Sequence, residues 1–267
     1  MDAKQVSDNW ERGGAYEPFI GRWSRRIAPL FLSWLGVPAG RKWLDLGCGT
    51  GALSAAIVDR CSPVAVTGVE PSEGFLDAAR QNLAGRVTFH RGGATAIPLP
   101  DESTDVVVSG LVLNFISEPS AAVAEMARVT VAGGAIGAYV WDYAGKMELL
   151  RFFWDAAVDL DPTSAPLDEG RRFPLCRPEA LVALFTGAGL SAVESTGIEI
   201  PAAFASFDDY WRPFLGGQGP APTYIIMSLD DSARARLRNH LRERMPAAVD
   251  GSIVLPARAW AVHATAN

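Results

Sequence analysis

The sequence is short of cysteine and histidine, and it has no long apolar run. Its three cysteines, Cys48, Cys61 and Cys176, lie far apart with no CxxC pair, which leaves a zinc site or a disulfide framework without support. Such usage fits a reducing compartment, so a cytoplasmic location is expected. His90, His240 and His263 form no HxxxH or HExxH arrangement, so no metal is expected and metal-dependent catechol-type transfer has no positive sign. A membrane span needs about 18 or more apolar residues in a row, and none is found. Residues 1–10 have neither a basic n-region nor an apolar h-region, so no secretion signal is read. A clustered basic stripe is missing too. The formal net charge is -6 and the basic residues are scattered, nearly all arginine, which argues against a nucleic-acid partner.

What is present suits a chain that folds on its own. With 267 residues, 49% apolar and 20% charged, the chain reads as one large globular domain with elaborations. The expected divisions are an N-terminal lid helix in 1–40, a core in 41–142, insertions at 143–177 and 201–250, and a last strand at 253–264. Ile20, Trp23, Ile27, Leu30, Phe31 and Trp34 recur at helical spacing and predict an amphipathic helix over 16–35. Residues 42–46 predict a strand that runs into Gly47-Cys48-Gly49-Thr50-Gly51 and then a helix over 52–60. Strands are predicted at 64–69, 87–90, 105–109, 135–141 and 192–200. Helices fall at 73–83, 178–185 and 120–129, the last stopped by Gly133-Gly134. Alternating strands and helices imply an α/β, mostly parallel sheet with right-handed crossovers. A charged helix over 231–244 and a closing strand complete the pattern.

A strand that ends in glycines and feeds a helix presents backbone N–H groups at the positive end of the helix dipole. Asp45 stands just before that turn, and Glu70 ends the second strand, where a carboxylate can accept from both hydroxyls of a ribose. Gly47, Gly49 and Ala52 also satisfy the GxGxx[G/A] dinucleotide form, so glycines alone do not choose the cofactor. Asp45 does discriminate: a carboxylate repels a pyrophosphate and attracts an ammonium, directly or through water. None of the five tyrosines is followed four residues later by lysine, so the Tyr/Lys pair of a short-chain dehydrogenase is missing.

The stretch Trp43-Leu44-Asp45-Leu46-Gly47-Cys48-Gly49-Thr50-Gly51 resembles the first motif of class I SAM-dependent methyltransferases, close to the ubiquinone-biosynthesis type and the methyltransferase type 11 family. Val69-Glu70-Pro71-Ser72 resembles the ribose-binding second motif, and residues 98–105 the loop and fourth strand. The resemblance implies a Rossmann-like seven-stranded sheet with the last strand antiparallel, helices on both faces, and S-adenosyl-L-methionine (SAM) as cofactor. It places Asp45, Gly47, Cys48, Gly49, Gly51, Glu70, Pro71 and Ser72 around that cofactor. Where such enzymes carry an acidic residue facing the adenine amine, this chain reads Gly92-Gly93-Ala94-Thr95. Gly93, Ala94 and Thr95 then line the adenine without that carboxylate, a loss of about 1.5 to 3 kcal/mol of affinity if nothing compensates. In similar enzymes a segment such as 16–26 folds over SAM as a lid, so Tyr16, Arg22 and Trp23 are candidates. Arg22 either pairs with the methionine carboxylate or is a solvated arginine on an amphipathic helix.

Methyl transfer needs little covalent help, since aligning the nucleophile with the methyl group supplies much of the rate, and a general base is optional. The reacting atoms belong beyond the carboxyl ends of the strands, which brings forward Asn114 and Phe115 after the fourth strand and Trp141, Asp142 and Tyr143 after the fifth. Asn114 either orients cofactor or substrate or is a satisfied polar residue opening a helix. Asp142 and Tyr143 are weak candidates for accepting a proton, against roles as cap or wall. Phe152, Phe153, Trp154, Phe204, Phe207, Tyr210, Trp211 and Phe214 either line an apolar pocket or fill a small core of their own. The expected partner is a small, partly apolar methyl acceptor taking the group on O, N or C. The alternatives are an NAD(P)-dependent oxidoreductase on the same fold and a non-catalytic SAM-binding sensor or assembly protein.

Overall fold

The structure, a computed structural model, describes residues 17–216 and 219–267. They gather into two compact units. The first comprises residues 23–141, 175–198 and 259–267, and its centre is a seven-stranded sheet. The strands are β1 (Lys42–Leu46), β2 (Ala65–Glu70), β3 (Thr88–Arg91), β4 (Thr104–Gly110), β5 (Thr130–Trp141), β6 (Ser191–Phe204) and β7 (Ile253–Thr265), in the order β3-β2-β1-β4-β5-β7-β6. β1 pairs in parallel with β2 and β4, β3 with β2, and β5 with β4, whereas β7 runs antiparallel to β5. This is the Rossmann-like arrangement that the sequence implied, with its order reversing between β1 and β4.

Parallel strands covered on both faces read as continuous apolar runs, and these do: Leu44, Val107 and Val108 have no exposed surface and Trp43 is buried. The helices between them are α1 (Arg22–Leu35), α2 (Ala52–Arg60), α3 (Glu73–Asn82) and α4 (Pro119–Val129). α1 buries Ile27, Ala28 and Phe31 completely, and the Phe31 ring lies 4.8 Å from Tyr139 of β5. Its helix begins later than the spacing predicts, because residues 17–21 form a π-helical turn ending at Gly21, a residue costly inside an α-helix.

Two boundaries differ for physical reasons. α4 ends at Val129 as expected, but β5 starts at once at Thr130 and not after the glycine pair: the Thr130 hydroxyl donates to Met126 O at 2.7 Å, satisfying a carbonyl of the last turn. Gly133 and Gly134 lie inside β5, where the ladder to β4 slips register between Thr104 and Val106. A Cβ on Gly134 would come within 2.7 Å of Asp105 O, so the close approach of two backbones requires glycine. β6 runs on past Pro201 to Phe204, and an edge strand is where a proline is tolerated.

The second unit comprises, of the described residues, 17–22, 142–174 and 199–258. Of the predicted insertions, 143–174 and the described residues of 201–250 fall in it, while 175–177 stay with the sheet. Its helices include α5 (Glu148–Leu160), α6 (Phe207–Trp211), α7 (Pro220–Ser228) and α8 (Asp231–Arg244), while Pro178–Gly187 stays with the sheet. Phe153 stacks on Phe214 at 4.8 Å and 6°, Trp154 meets Tyr224 at 5.6 Å, and the buried Tyr210 hydroxyl donates to Leu149 O at 2.8 Å. Phe153, Trp154, Phe204, Phe207, Tyr210, Trp211 and Phe214 are all buried. The aromatic stretch thus fills this unit's own core. No helix among the described residues is long and apolar enough to cross a membrane.

Candidate cofactor site

β1 delivers the chain to the glycine turn, and the turn's shape depends on residues with no Cβ. Gly47 has φ +72°, and a Cβ there would sit 2.7 Å from the Val112 methyls, so the segment after β4 packs directly on it. Gly49 has φ +52° and faces open space, with no atom within 4 Å of where its Cβ would be. One glycine is required by packing; the other leaves a backbone face open to a ligand. α2 follows at once, its N-cap residue Gly51 offers no side-chain cap, and within its first turn the Ser54 N–H donates to Asp45.

Two buried carboxylates flank this turn. Asp45 is 1% exposed; its Oδ2 accepts from the Ser54 hydroxyl at 2.7 Å, and its Oδ1 is buried with no hydrogen-bond partner. Burial pushes the Asp45 carboxyl up to about 7, opposed by hydrogen bonds from Ser54 and reinforced by the charge of Glu70. Glu70 accepts from Gly49 N at 3.2 Å through Oε2 and from Ser72 N at 3.0 Å through Oε1. Its pKa is also raised by burial, against those two backbone bonds. A carboxylate has about four lone-pair sites, so Glu70 retains capacity for two further donors. Ionised, such a pair of carboxylates favours a cation over a pyrophosphate.

Beyond β4 the backbone is strained. Leu111 takes φ +64°, rare for a residue with a γ-branched side chain, while its N–H donates to Tyr139 O at 2.7 Å. The chain then turns through Leu113–Phe115, and both amide atoms of Asn114 are buried without a hydrogen-bond partner. A donor and an acceptor buried and unpaired on one side chain cost free energy until something pairs with them.

Residues 44–137 match the family model of a methyltransferase domain. This stretch of the chain is similar to a methyltransferase domain. An uncharacterized methyltransferase of Mycobacterium tuberculosis is 37% identical over 129 residues, 48% of this chain and 49% of that protein. The match thus spans about half the length of that relative. An uncharacterized methyltransferase of Mycobacterium leprae is 28% identical over 228 residues, 80% of this chain and 82% of that protein. Among solved structures, phosphoethanolamine N-methyltransferase 2 of Haemonchus contortus in complex with SAM shares the fold with a TM-score of 0.58 at 16% identity, covering 99% of this chain and 58% of that one.

Within this stretch, Asp45, Gly47, Gly49, Gly51 and Glu70 converge on one turn. The Cys48 side chain points elsewhere, toward β2, with its Sγ 2.9 Å from where a Gly68 Cβ would be. Its thiol is pushed up by burial and contributes no reactive group. Ser72 uses its hydroxyl to cap α3, accepting from Phe75 N at 3.4 Å, and Pro71 is exposed beside it. Gly92 N donates to Glu70 O at 3.2 Å, which ties the turn at Gly93, Ala94 and Thr95 to the end of β2; Gly93 and Thr95 are exposed and Ala94 half-buried. Tyr16 lies outside the described residues. Arg22 belongs to the second unit, where it pairs with Asp209 at 3.2 Å and sits 4.8 Å over the Phe204 ring. Asp142, in the same unit, accepts from Arg258 at 2.6 Å and from Lys146 N at 2.8 Å, while Tyr143 packs 5.5 Å from Phe173. That carboxylate is a clamp to β7, poorly placed by its partners to act as a base. Ser54, nine residues after Asp45 on the first turns of α2, is the contact that sequence reasoning missed.

Proposed function

We propose that this protein is a SAM-dependent methyltransferase acting on a small, partly apolar acceptor at O, N or C, in the cytoplasm. The unpaired Oδ1 of buried Asp45, beside a Glu70 already held by the glycine turn, carries the reading. The residues fit the cofactor. Asp45 suits the ammonium of its methionine part, Glu70 the ribose diol, and the exposed turn at Gly93, Ala94 and Thr95 the adenine. Asn114 offers its unpaired amide to cofactor or acceptor. When bound, SAM supplies an electrophilic methyl group on a sulfonium.

The protein's contribution is then positioning and electrostatics. Asp45 and Glu70 fix the cofactor's polar ends, and Asp142, engaged by Arg258 and the Lys146 N–H, holds structure and moves no proton. The test is transfer of a tritium-labelled methyl group from SAM to a panel of small carboxylic acids, phenols and amines. Labelled product with an equal yield of S-adenosylhomocysteine supports the reading; tight binding of SAM with no transfer across the panel favours a non-catalytic SAM-binding protein.

A further inference from the structure

The second unit contains a cleft of about 510 Å³, a volume typical of small-ligand sites. Trp211, Leu215, Ile226 and Ala235 wall it, and Asp231, Arg234 and Arg238 supply its charge. The aromatic wall is rigid: Trp211 is 5% exposed and stacks on Phe207 at 6.5 Å and on Phe214 at 6.2 Å. Leu215 and Ile226 leave 45% and 49% of their surface to solvent. Large apolar side chains exposed together in one concave patch mark a binding surface.

The charges at this cleft do not balance. Arg234 pairs with Asp231 at 3.2 Å, while Arg238 and Arg242 share the single carboxylate of Asp208 at 2.7 and 3.3 Å. Of the charged groups that line the cleft, two are guanidiniums, Arg234 and Arg238, and one is the carboxylate of Asp231, an excess of one positive charge in the lining. Arg238 and Arg242 are held over the Phe207 ring at 5.6 and 4.8 Å, and the Arg234 Nε–H is buried with no acceptor. An apolar trough with one surplus guanidinium charge and an unused N–H donor matches one kind of occupant.

We propose that this cleft binds an amphipathic monoanion, its chain against Trp211, Leu215 and Ile226 and its carboxylate at Arg234 and Arg238. The inference stands apart from the methyl-transfer reading, so its test omits SAM. The full-length protein is titrated calorimetrically with decanoate, decanol and decyltrimethylammonium. Decanoate binds saturably and one-to-one, about tenfold or more tighter than decanol, as a charge-assisted hydrogen bond requires. Ile226→Glu places a carboxylate in the trough and abolishes binding, and Arg234→Gln weakens it about tenfold. Arg236→Gln, on the same helix but outside the cleft, leaves it unchanged. These positions are exposed or half-buried, and matched circular dichroism confirms folding. Equal binding of decanol, no saturable binding of decanoate, or decanoate affinity unaffected by Ile226→Glu overturns the proposal.

Discussion

Cofactor binding at Asp45 should expel a proton. In the folded protein burial holds this carboxyl up at about 7, against an ordinary value of 3.8. A carboxyl at about 7 is about 90% protonated at pH 6, and an ammonium seated on the unpaired Oδ1 favours the ionised form. At pH 6 the α-amino group of S-adenosylhomocysteine, with an ordinary pKa of about 8, is already charged and contributes almost nothing. Binding should therefore release about 0.9 proton at pH 6, and affinity should rise up to tenfold per pH unit from about 5 to about 7. Calorimetric titration of S-adenosylhomocysteine at pH 6, in buffers of different ionisation enthalpy, reads the proton count directly. Asp45→Asn, which keeps the shape and an acceptor for Ser54, should bring it close to zero. A wild-type count near zero, or an unchanged count in the variant, refutes the reasoning.

Further outcomes follow from the same geometry. Because the folded-state pKa of Asp45 is raised, its burial is tolerated below about pH 4 and costs progressively more up to about pH 7, on the order of 4 kcal/mol. Thermal melts of Asp45→Asn should thus match wild type near pH 4 and exceed it at pH 8; a constant difference across that range contradicts this. Gly47→Ala should lose about 1 to 3 kcal/mol in urea unfolding, since it adds both positive-φ strain and a clash with Val112, and Val112→Ala should recover part of it. Arg258→Gln leaves the buried Asp142 carboxylate without its charged partner and should cost about 3 kcal/mol, whereas Asp142→Asn should lower stability without altering the pH dependence of methyl transfer. Tyr210→Phe removes the buried bond to Leu149 O and should cost about 1 kcal/mol.

How much of this could be read from residues alone depended on where the determining contacts lie. The central strands were legible because β1, β4 and β5 are buried on both faces and so appear as apolar runs. α8 was legible over its whole length, Asp231–Arg244, because Asp230 caps it by accepting from Ala233 N and its charged residues have no sheet to join. The positions of Asp45 and Glu70 at strand ends were visible; the unpaired Oδ1 and the bond from Ser54 exist only once β1 and α2 are packed. The same holds for Gly134, which the approach of Asp105 O requires, and for the positive φ of Leu111. The aromatic residues of the second unit carried no periodic signal to separate a pocket wall from a core, and their burial was decided by mutual stacking.

The most direct measurement is a calorimetric titration of the purified protein with SAM, S-adenosylhomocysteine and NADH, repeated with Glu70→Ala. The account predicts micromolar binding of the first two, no response to NADH, and at least a tenfold loss in the variant, about what one charge-assisted hydrogen bond supplies at minimum. Binding of NADH with no response to SAM would contradict it.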